Sequence, residues 1–295
     1  MKTSTTKGAV VVTGKDIVAA LRAAGIEAGD MIMVHSSMKA FGYVDGGPNA
    51  VVDALLEAVG SAGTAIVPTL SASYVRGSAS GIPFHPRKTP SRVGLITETF
   101  RLRPQAVRSL HPTHSLAAIG PNARDLLDGH WPGSTFTIKG PYGKYVKAGA
   151  KLVFLGAPST SNTTLHAVED WLDLPYMMDA EALLEKADGS AEVVKVTKAP
   201  LEHRDFYAKT GRIHEMLKLA GAVTIVKLNS AEITVIPVKT LVRVAGENEL
   251  KYPGVLLCDK MECSFCQKGR KAIMSMQGDI RRNFERLRQE GYTDD

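Results

Sequence analysis

Between Thr13 and Thr69 the chain runs twice through one succession: apolar residues at helical spacing, a glycine-marked break, then a short unbroken apolar run. Ile17, Val18, Leu21 and Ala24 fall on one face of a helix over 15–24, which Thr13 can cap and Gly25 can end. The turn Gly29-Asp30 then leads into Met31-Ile32-Met33-Val34, which reads as a buried strand. Pro48 suits the first turn of the next helix, where Val51, Val52, Leu55, Leu56 and Val59 repeat the spacing. Gly60 and Gly63 break that helix before Thr64-Ala65-Ile66-Val67-Pro68, a second strand. Helix, strand, helix, strand with short turns specifies an α/β fold.

Further on, residues 71–94 lack periodicity and carry Gly77, Gly81, Pro83, Pro86 and Pro90, which predicts a long surface loop. A helix is expected over 93–101, a strand region over 108–120 broken by His111-Pro112, a buried strand over 151–156 and a helix over 162–173. Strands with one helix at 214–220 are expected over 189–245, and a charged terminal helix over 281–288. No repeat or linker divides the chain. The organisation expected is a main domain over 1–250 and a C-terminal extension over 251–295 that holds a cysteine run and the charged helix.

Composition narrows the class. Of 295 residues, 44% are hydrophobic and 22% charged, which excludes disordered, collagen-like and disulfide-stapled chains. No apolar run approaches the roughly 20 residues that span a bilayer. The polar start from Met1 to Lys7 leads only into Ala9-Val10-Val11-Val12, too short for a secretory core. The 3 cysteines all follow residue 257 and cannot form a disulfide framework, so a reducing cytoplasm is expected, without membrane. An excess of 36 Lys+Arg over 30 Asp+Glu allows an anionic partner such as a phosphorylated cofactor. It is scattered, as on a solvated surface, and no nucleic-acid partner is expected.

Three segments could carry chemistry. In Asn162-Thr163-Thr164-Leu165-His166-Ala167-Val168-Glu169-Asp170, His166 and Glu169 are three apart and share a helix face. A carboxylate beside an imidazole fixes its tautomer and favours its charged form, as a general base requires. Spacing alone suits a surface pair better, because such pairs are common. His35-Ser36-Ser37 follows a strand, where small hydroxyls can bind phosphate or amide oxygens or simply form a turn. Arg108-Ser109-Leu110-His111-Pro112-Thr113-His114-Ser115 gathers cations and hydroxyls between apolar runs, as a ligand loop or a surface loop would. No Gly-x-Ser-x-Gly elbow and no Walker pattern occurs. Cys258, Cys263 and Cys266 give three thiols where a structural zinc site needs four ligands. His203 or His214 could supply the fourth only through folding, so no metal and three free thiols are expected.

Taken in order, these segments resemble the aminoglycoside 3-N-acetyltransferase family, also called the antibiotic N-acetyltransferase family, over about residues 15–245. The matching stretches are His35-Ser36-Ser37-Met38 with Gly42 and Gly46-Gly47-Pro48; Gly63-Thr64 with Pro68-Thr69; and Thr89-Pro90-Ser91 with Gly94 and Glu98. Arg108-Ser109 with His111-Pro112 and Ser115, then Asn162-Thr163 with His166 and Glu169, complete them.

The resemblance implies a three-layer α/β/α fold with a mixed central sheet, unlike the Gcn5-related acetyltransferases. It implies acetyl-CoA as co-substrate and direct acetyl transfer to a small-molecule amine. His166 would be the general base and Glu169 its orienting partner. His35, Ser36, Ser37, Ser109, Ser115 and Thr163 would lie along the acetyl-CoA path. For the acceptor, the candidates are His85, Asp170 and Asp173. His85 stands in Phe84-His85-Pro86 where the family often has Asp, and Gly140-Pro141-Tyr142-Gly143 replaces the usual Ser-Pro-Leu-Gly. Two alternatives stay open: the same fold acting on another amine, and a metal- or nucleic-acid-binding module built on the cysteine run and basic tail. The oligomeric state is left undetermined.

Overall fold

A computed structural model describes residues 11–75, 81–131, 133, 135–200, 203 and 211–294. The polar N-terminal stretch and residues 76–80 of the expected loop lie outside them. In chain order the elements are α1 (Gly14–Ala23), β1 (Met31–Ser36), α2 (Gly47–Val59), β2 (Thr64–Pro68), α3 (Leu95–Arg101), β3 (Val107–Arg108) and β4 (Leu116–Ile119). Then come α4 (Ala123–Leu127), α5 (Pro141–Lys147), β5 (Lys151–Leu155), α6 (Thr164–Trp171), β6 (Met178–Glu185), β7 (Ala191–Lys198) and α7 (Arg212–Leu219). The chain finishes with β8 (Thr224–Leu228), β9 (Ala231–Pro237), α8 (Val238–Lys251), α9 (Ser264–Ser275) and α10 (Gln277–Gln289).

Seven strands form one sheet in the order β3-β4-β2-β1-β5-β9-β8, and β6 pairs with β7 as a separate hairpin. At the centre β1 runs parallel to β2 and β5, with Met33 opposite Ile66 and Leu152. Pairs β2–β4, β3–β4, β5–β9 and β8–β9 are antiparallel, so the sheet is mixed. Successive side chains point to opposite faces. Ile32, Val34, Val153 and Leu155 therefore pack with α1 and α2 in one core, while Met33, Ile66, Leu152 and Phe154 meet the helices of the other face. The result is the three-layer α/β/α architecture. Thr13 caps α1 as expected, and Asp16 returns the bond by accepting the Thr13 N–H at 2.8 Å.

Several expectations change. His35 and Ser36 do not leave β1 but pair with Phe154 and Leu155 inside the sheet. The segment around 71–94 is not simply a surface loop. Ser71, Ser73, Phe84 and Thr89 are buried, and Tyr74 and Phe84 bridge to Ala182 and Leu184 of β6. Among the described residues of this segment, backbone pairing with β6 holds Tyr74 and Phe84 in place. Over 238–251, where strands were expected up to 245, the chain is the helix α8. Its alternate Val238, Thr240, Val242 and Val244 imitate a strand, while Val238, Leu241, Val242, Ala245 and Glu249 are buried at helical spacing. In the C-terminal segment Cys266, Ile273, Ile280, Phe284 and Leu287 share one core cluster with Met33 and Phe154. Among the described residues no helix is long and apolar enough to cross a membrane.

Parallel β1, β2 and β5 end at one edge of the sheet, where β4 begins and β3 ends. That edge brings together the loops after residues 36, 68, 108 and 155, the place where α/β sheets gather their sites.

Candidate functional site

The connection from β5 to α6 is built for a sharp entry. Gly156 has φ 68°, and a Cβ there would approach the Ser37 carbonyl oxygen to 3.2 Å. Asn162 Oδ1 then accepts the Thr164 N–H at 3.0 Å and starts α6. One turn later the two helix neighbours meet: His166 Nδ1 lies 2.8 Å from Glu169 Oε2. The other carboxylate oxygen accepts the Tyr176 hydroxyl at 3.0 Å. A carboxylate only accepts, so Nδ1 is the donor in this contact. The two residues are 1% and 0% exposed, so they form a buried pair rather than a surface one. Phe136 stands edge-on to the His166 ring at 5.8 Å, and Trp171 fixes that loop by donating to the Phe136 carbonyl at 2.6 Å. In such low-dielectric surroundings the imidazole–carboxylate attraction is stronger than in water.

Next to the pair, His35 at the end of β1 stacks on Phe154 at 5.3 Å. Burial pushes its pKa down to about 3, with His166 adding to the effect, so His35 is neutral. Its Nε2, Ser36 Oγ, Ser73 Oγ and Thr163 Oγ1 are buried without a protein partner. Unsatisfied buried polar atoms at the end of β1 and in the segments that follow β2 and β5 fit a ligand or ordered water. Ser37 holds the same edge through its N–H, which donates to the Leu155 carbonyl at 3.0 Å. Ser109 and Ser115 are placed differently. Ser109 Oγ bonds His130 Nδ1 at 2.8 Å and accepts the Leu116 N–H at 2.9 Å. Ser115 Oγ donates to the Thr69 carbonyl at 2.8 Å and accepts from Arg108 Nε at 3.1 Å. Both hydroxyls are engaged inside the protein.

Arg108 is a clamp that its sequence setting did not reveal. Its guanidinium donates to the Thr69 carbonyl at 2.6 Å, to the Pro86 carbonyl at 3.2 Å and to the Thr89 carbonyl, and lies 4.9 Å over the Phe84 ring. It ties the 84–89 turn to the sheet edge. Within that turn His85 Nδ1 accepts the N–H groups of Arg87 and Lys88 at 3.1 and 3.2 Å. The next loop is a buried stack in which His111 lies 4.7 Å from His130, with burial holding both imidazoles neutral.

The acidic candidates lie at the far end of α6. Asp173 is exposed with φ 58°, whereas burial, then the charges of Asp173 and Glu169, pushes the Asp170 carboxyl up to about 6. A raised folded-state pKa gives stability that is present below the unfolded value and lost as pH rises through the folded one. Asp170→Asn is therefore expected to stabilise the protein near pH 8 by on the order of 1–2 kcal/mol and to change nothing below about pH 3.5. Urea melts at the two pH values check this, and an equal gain at both would exclude ionisation as the cause.

The cysteine run does not stand alone. Folding brings His203, 60 residues before Cys263, to within 3.2 Å of that thiol. The expectation of no metal rested on three ligands, and the structure supplies a fourth that no local spacing could announce. His214 is not in that cluster.

The family model described as aminoglycoside 3-N-acetyltransferase matches residues 33–248. Aminoglycoside N(3)-acetyltransferase III of Salmonella sp is 37% identical over 177 residues, covering 55% of this chain and 62% of the relative. Aminoglycoside N(3)-acetyltransferase VIII of Streptomyces fradiae is 34% identical over 179 residues, covering 56% and 63%. The chain thus spans less than two thirds of the length of these curated relatives. Among solved structures, aminoglycoside acetyltransferase AAC(3)-Xa superposes with a TM-score of 0.71 at 28% identity, covering 80% of this chain and 91% of that one. Sisomicin-bound AAC-VIa superposes with a TM-score of 0.70 at 25% identity, covering 80% and 97%. With the sheet-edge site in place and the family model covering residues 33–248, the chain belongs to the aminoglycoside 3-N-acetyltransferase family.

Proposed function

We propose that this protein is an acetyl-CoA-dependent N-acetyltransferase that acylates an aminoglycoside amine directly, with His166 as general base and Glu169 as its orienting partner. The observation that carries the reading is the buried 2.8 Å contact between His166 Nδ1 and Glu169 Oε2 at the edge where the parallel strands end. An amine with a pKa of roughly 10.4 is mostly ammonium at neutral pH and cannot attack. The ammonium first gives one proton to solvent; His166 Nε2 then takes a second proton from the nitrogen as its lone pair bonds to the thioester carbon, and passes that proton to the departing sulfur as the C–S bond breaks. Glu169 stabilises the imidazolium between those events and keeps the ring in the right tautomer. No acyl-enzyme is needed.

The residues fit an acetyl-CoA substrate. Ser36 Oγ, His35 Nε2 and Thr163 Oγ1 are buried polar atoms in need of partners, as pantetheine amides and a thioester oxygen would provide. Beside them Gly156, Pro158, Ser159 and Lys227 line an open groove of about 690 Å³ that also holds Glu215 and Glu232; Lys218 is paired with Glu215 at 3.0 Å, which leaves Lys227 as the lysine there that suits a phosphate. On the acceptor side, Asp179 and Glu181 of β6 border a depression of about 620 Å³ with Tyr74 and Lys198. The paired strand β7 is joined to the base through Thr197, which exchanges two hydrogen bonds with Thr135, the neighbour of Phe136. Sisomicin-bound AAC-VIa supports a polycationic amine as acceptor.

Thiol release from acetyl-CoA, measured with a panel of aminoglycosides beside simpler amines and read by product mass, tests the reading. Release with simple amines alone moves the protein to another acceptor, and no amine-dependent release removes the activity altogether. His85→Asp is a finer probe, since an aspartate can accept the same two turn amides and adds the acid the family often carries. It is expected to lower the KM for an aminoglycoside, with a gain that shrinks as salt rises. An unchanged KM takes residue 85 off the acceptor path in favour of Asp170 and Asp173.

A further inference from the structure

We propose that His203, Cys258, Cys263 and Cys266 form a structural zinc site that locks the C-terminal segment onto the core. The potential ligand atoms of the four residues all lie within 4.8 Å of one another. Cys258 Sγ is 3.2 Å from Cys266 Sγ, and Cys263 Sγ is 3.2 Å from His203 Nδ1. A disulfide needs sulfurs about 2.05 Å apart, and all three cysteines are free. Zinc–sulfur bonds of about 2.3 Å in a tetrahedron set ligand atoms somewhat under 4 Å from one another, within the spread observed. Thiols are weak hydrogen-bonding groups and gain little from facing one another in a core. Three thiolates and an imidazole around Zn²⁺ satisfy every member.

The surroundings fit a bound, net-negative centre. Cys258 and Cys266 are buried. Cys263 caps the start of α9 and Cys266 lies in its first turn, where the helix dipole favours thiolates. Phe265 stacks on the His203 ring at 4.4 Å and fixes its orientation. The His203 carbonyl accepts the Cys258 N–H at 2.9 Å, and Arg270 donates to the Cys258 carbonyl at 2.6 Å. Three thiolates with Zn²⁺ leave one negative charge, and the Arg270 guanidinium lies next to it.

The site links a segment between β7 and α7 to the segment after α8. That second segment backs the candidate base. Gly269 of α9 is packed so that a Cβ there would lie 2.8 Å from Leu257 Cδ1 and 3.8 Å from Tyr176 Cδ1. Tyr176 in turn donates to Glu169. Metal loss should therefore loosen α9 first, and the Glu169 support through it. The metal site itself stands whether or not the proposed acetyl transfer is correct.

The full chain, expressed in zinc-supplemented medium and freed of loose metal by gel filtration, is expected to hold about one zinc per chain by elemental analysis. Removal by a strong chelator should lower the melting temperature, and added zinc should restore it. Co²⁺ exchanged into the site should give thiolate charge-transfer and tetrahedral absorption bands, lost in Cys263→Ser. Because a cysteine variant can misfold, thiol counting on the folded wild type provides a second reading: protected thiols that react only after chelation are expected. Substoichiometric zinc with all three thiols reactive in the folded protein, or a Cys258–Cys266 disulfide by mass after purification without reductant, overturns the proposal.

Discussion

Replacing His166 by alanine is expected to lower turnover about a hundredfold or more at saturating acetyl-CoA, the scale on which a general base acts. The KM for acetyl-CoA should change little, because the donor contacts proposed for Ser36, Ser37 and Thr163 remain. Glu169→Gln should lower turnover as well, since an amide can present its NH₂ to Nδ1 and hold the ring in the wrong tautomer. Tyr176→Phe should be milder, removing the hydroxyl's bond to the carboxylate while leaving the His166 contact. Both members of the pair are buried, so a thermal melt must accompany each kinetic measurement. A folded His166→Ala protein with near-wild-type turnover would remove His166 from the chemistry.

The largest expected effect on stability is at Gly143. In α5 a Cβ on this residue would overlap the Ile138 carbonyl and lie 2.9 Å from Ile138 Cα. The obstruction is backbone, so no rotamer change relieves it. Gly143→Ala should cost about 3 kcal/mol or more, at the upper end of overpacking losses. The damage should also spread. Residues 136–138 form the turn into α5, and Phe136 is the ring that stands against His166. Pushing Ile138 outward should therefore reduce turnover even at temperatures where the variant is folded. Urea unfolding monitored alongside activity checks both parts, and a loss below about 1 kcal/mol would mean that the turn yields easily. This close approach is the physical reason for a glycine at the end of Gly140-Pro141-Tyr142-Gly143.

Some of this molecule could be read from residues a few positions apart. The runs at 31–34, 64–68 and 151–156 became β1, β2 and β5, because an uninterrupted apolar run between helices has no alternative to burial in the sheet. The cap at Thr13 and the meeting of His166 with Glu169 were equally legible, since each depends on one helical turn. Local spacing could not tell whether the His–Glu pair faced water or the core. That depended on Phe136 and Tyr176, which arrive from other parts of the chain.

What the tertiary structure decided is what converges from a distance. Arg108 looked like a ligand loop and is a clamp, because the carbonyls that occupy its guanidinium come from residues 69, 86 and 89. Ser109 and Ser115 looked like the other donor-path hydroxyls, yet their partners lie within the protein while Ser36 Oγ has none. Three cysteines without a fourth ligand looked inert until His203 was folded against them. Periodicity records which face of its own element a side chain occupies. The order in which strands and helices pack then selects the residues that face it, and that choice leaves no mark on the spacing of either partner.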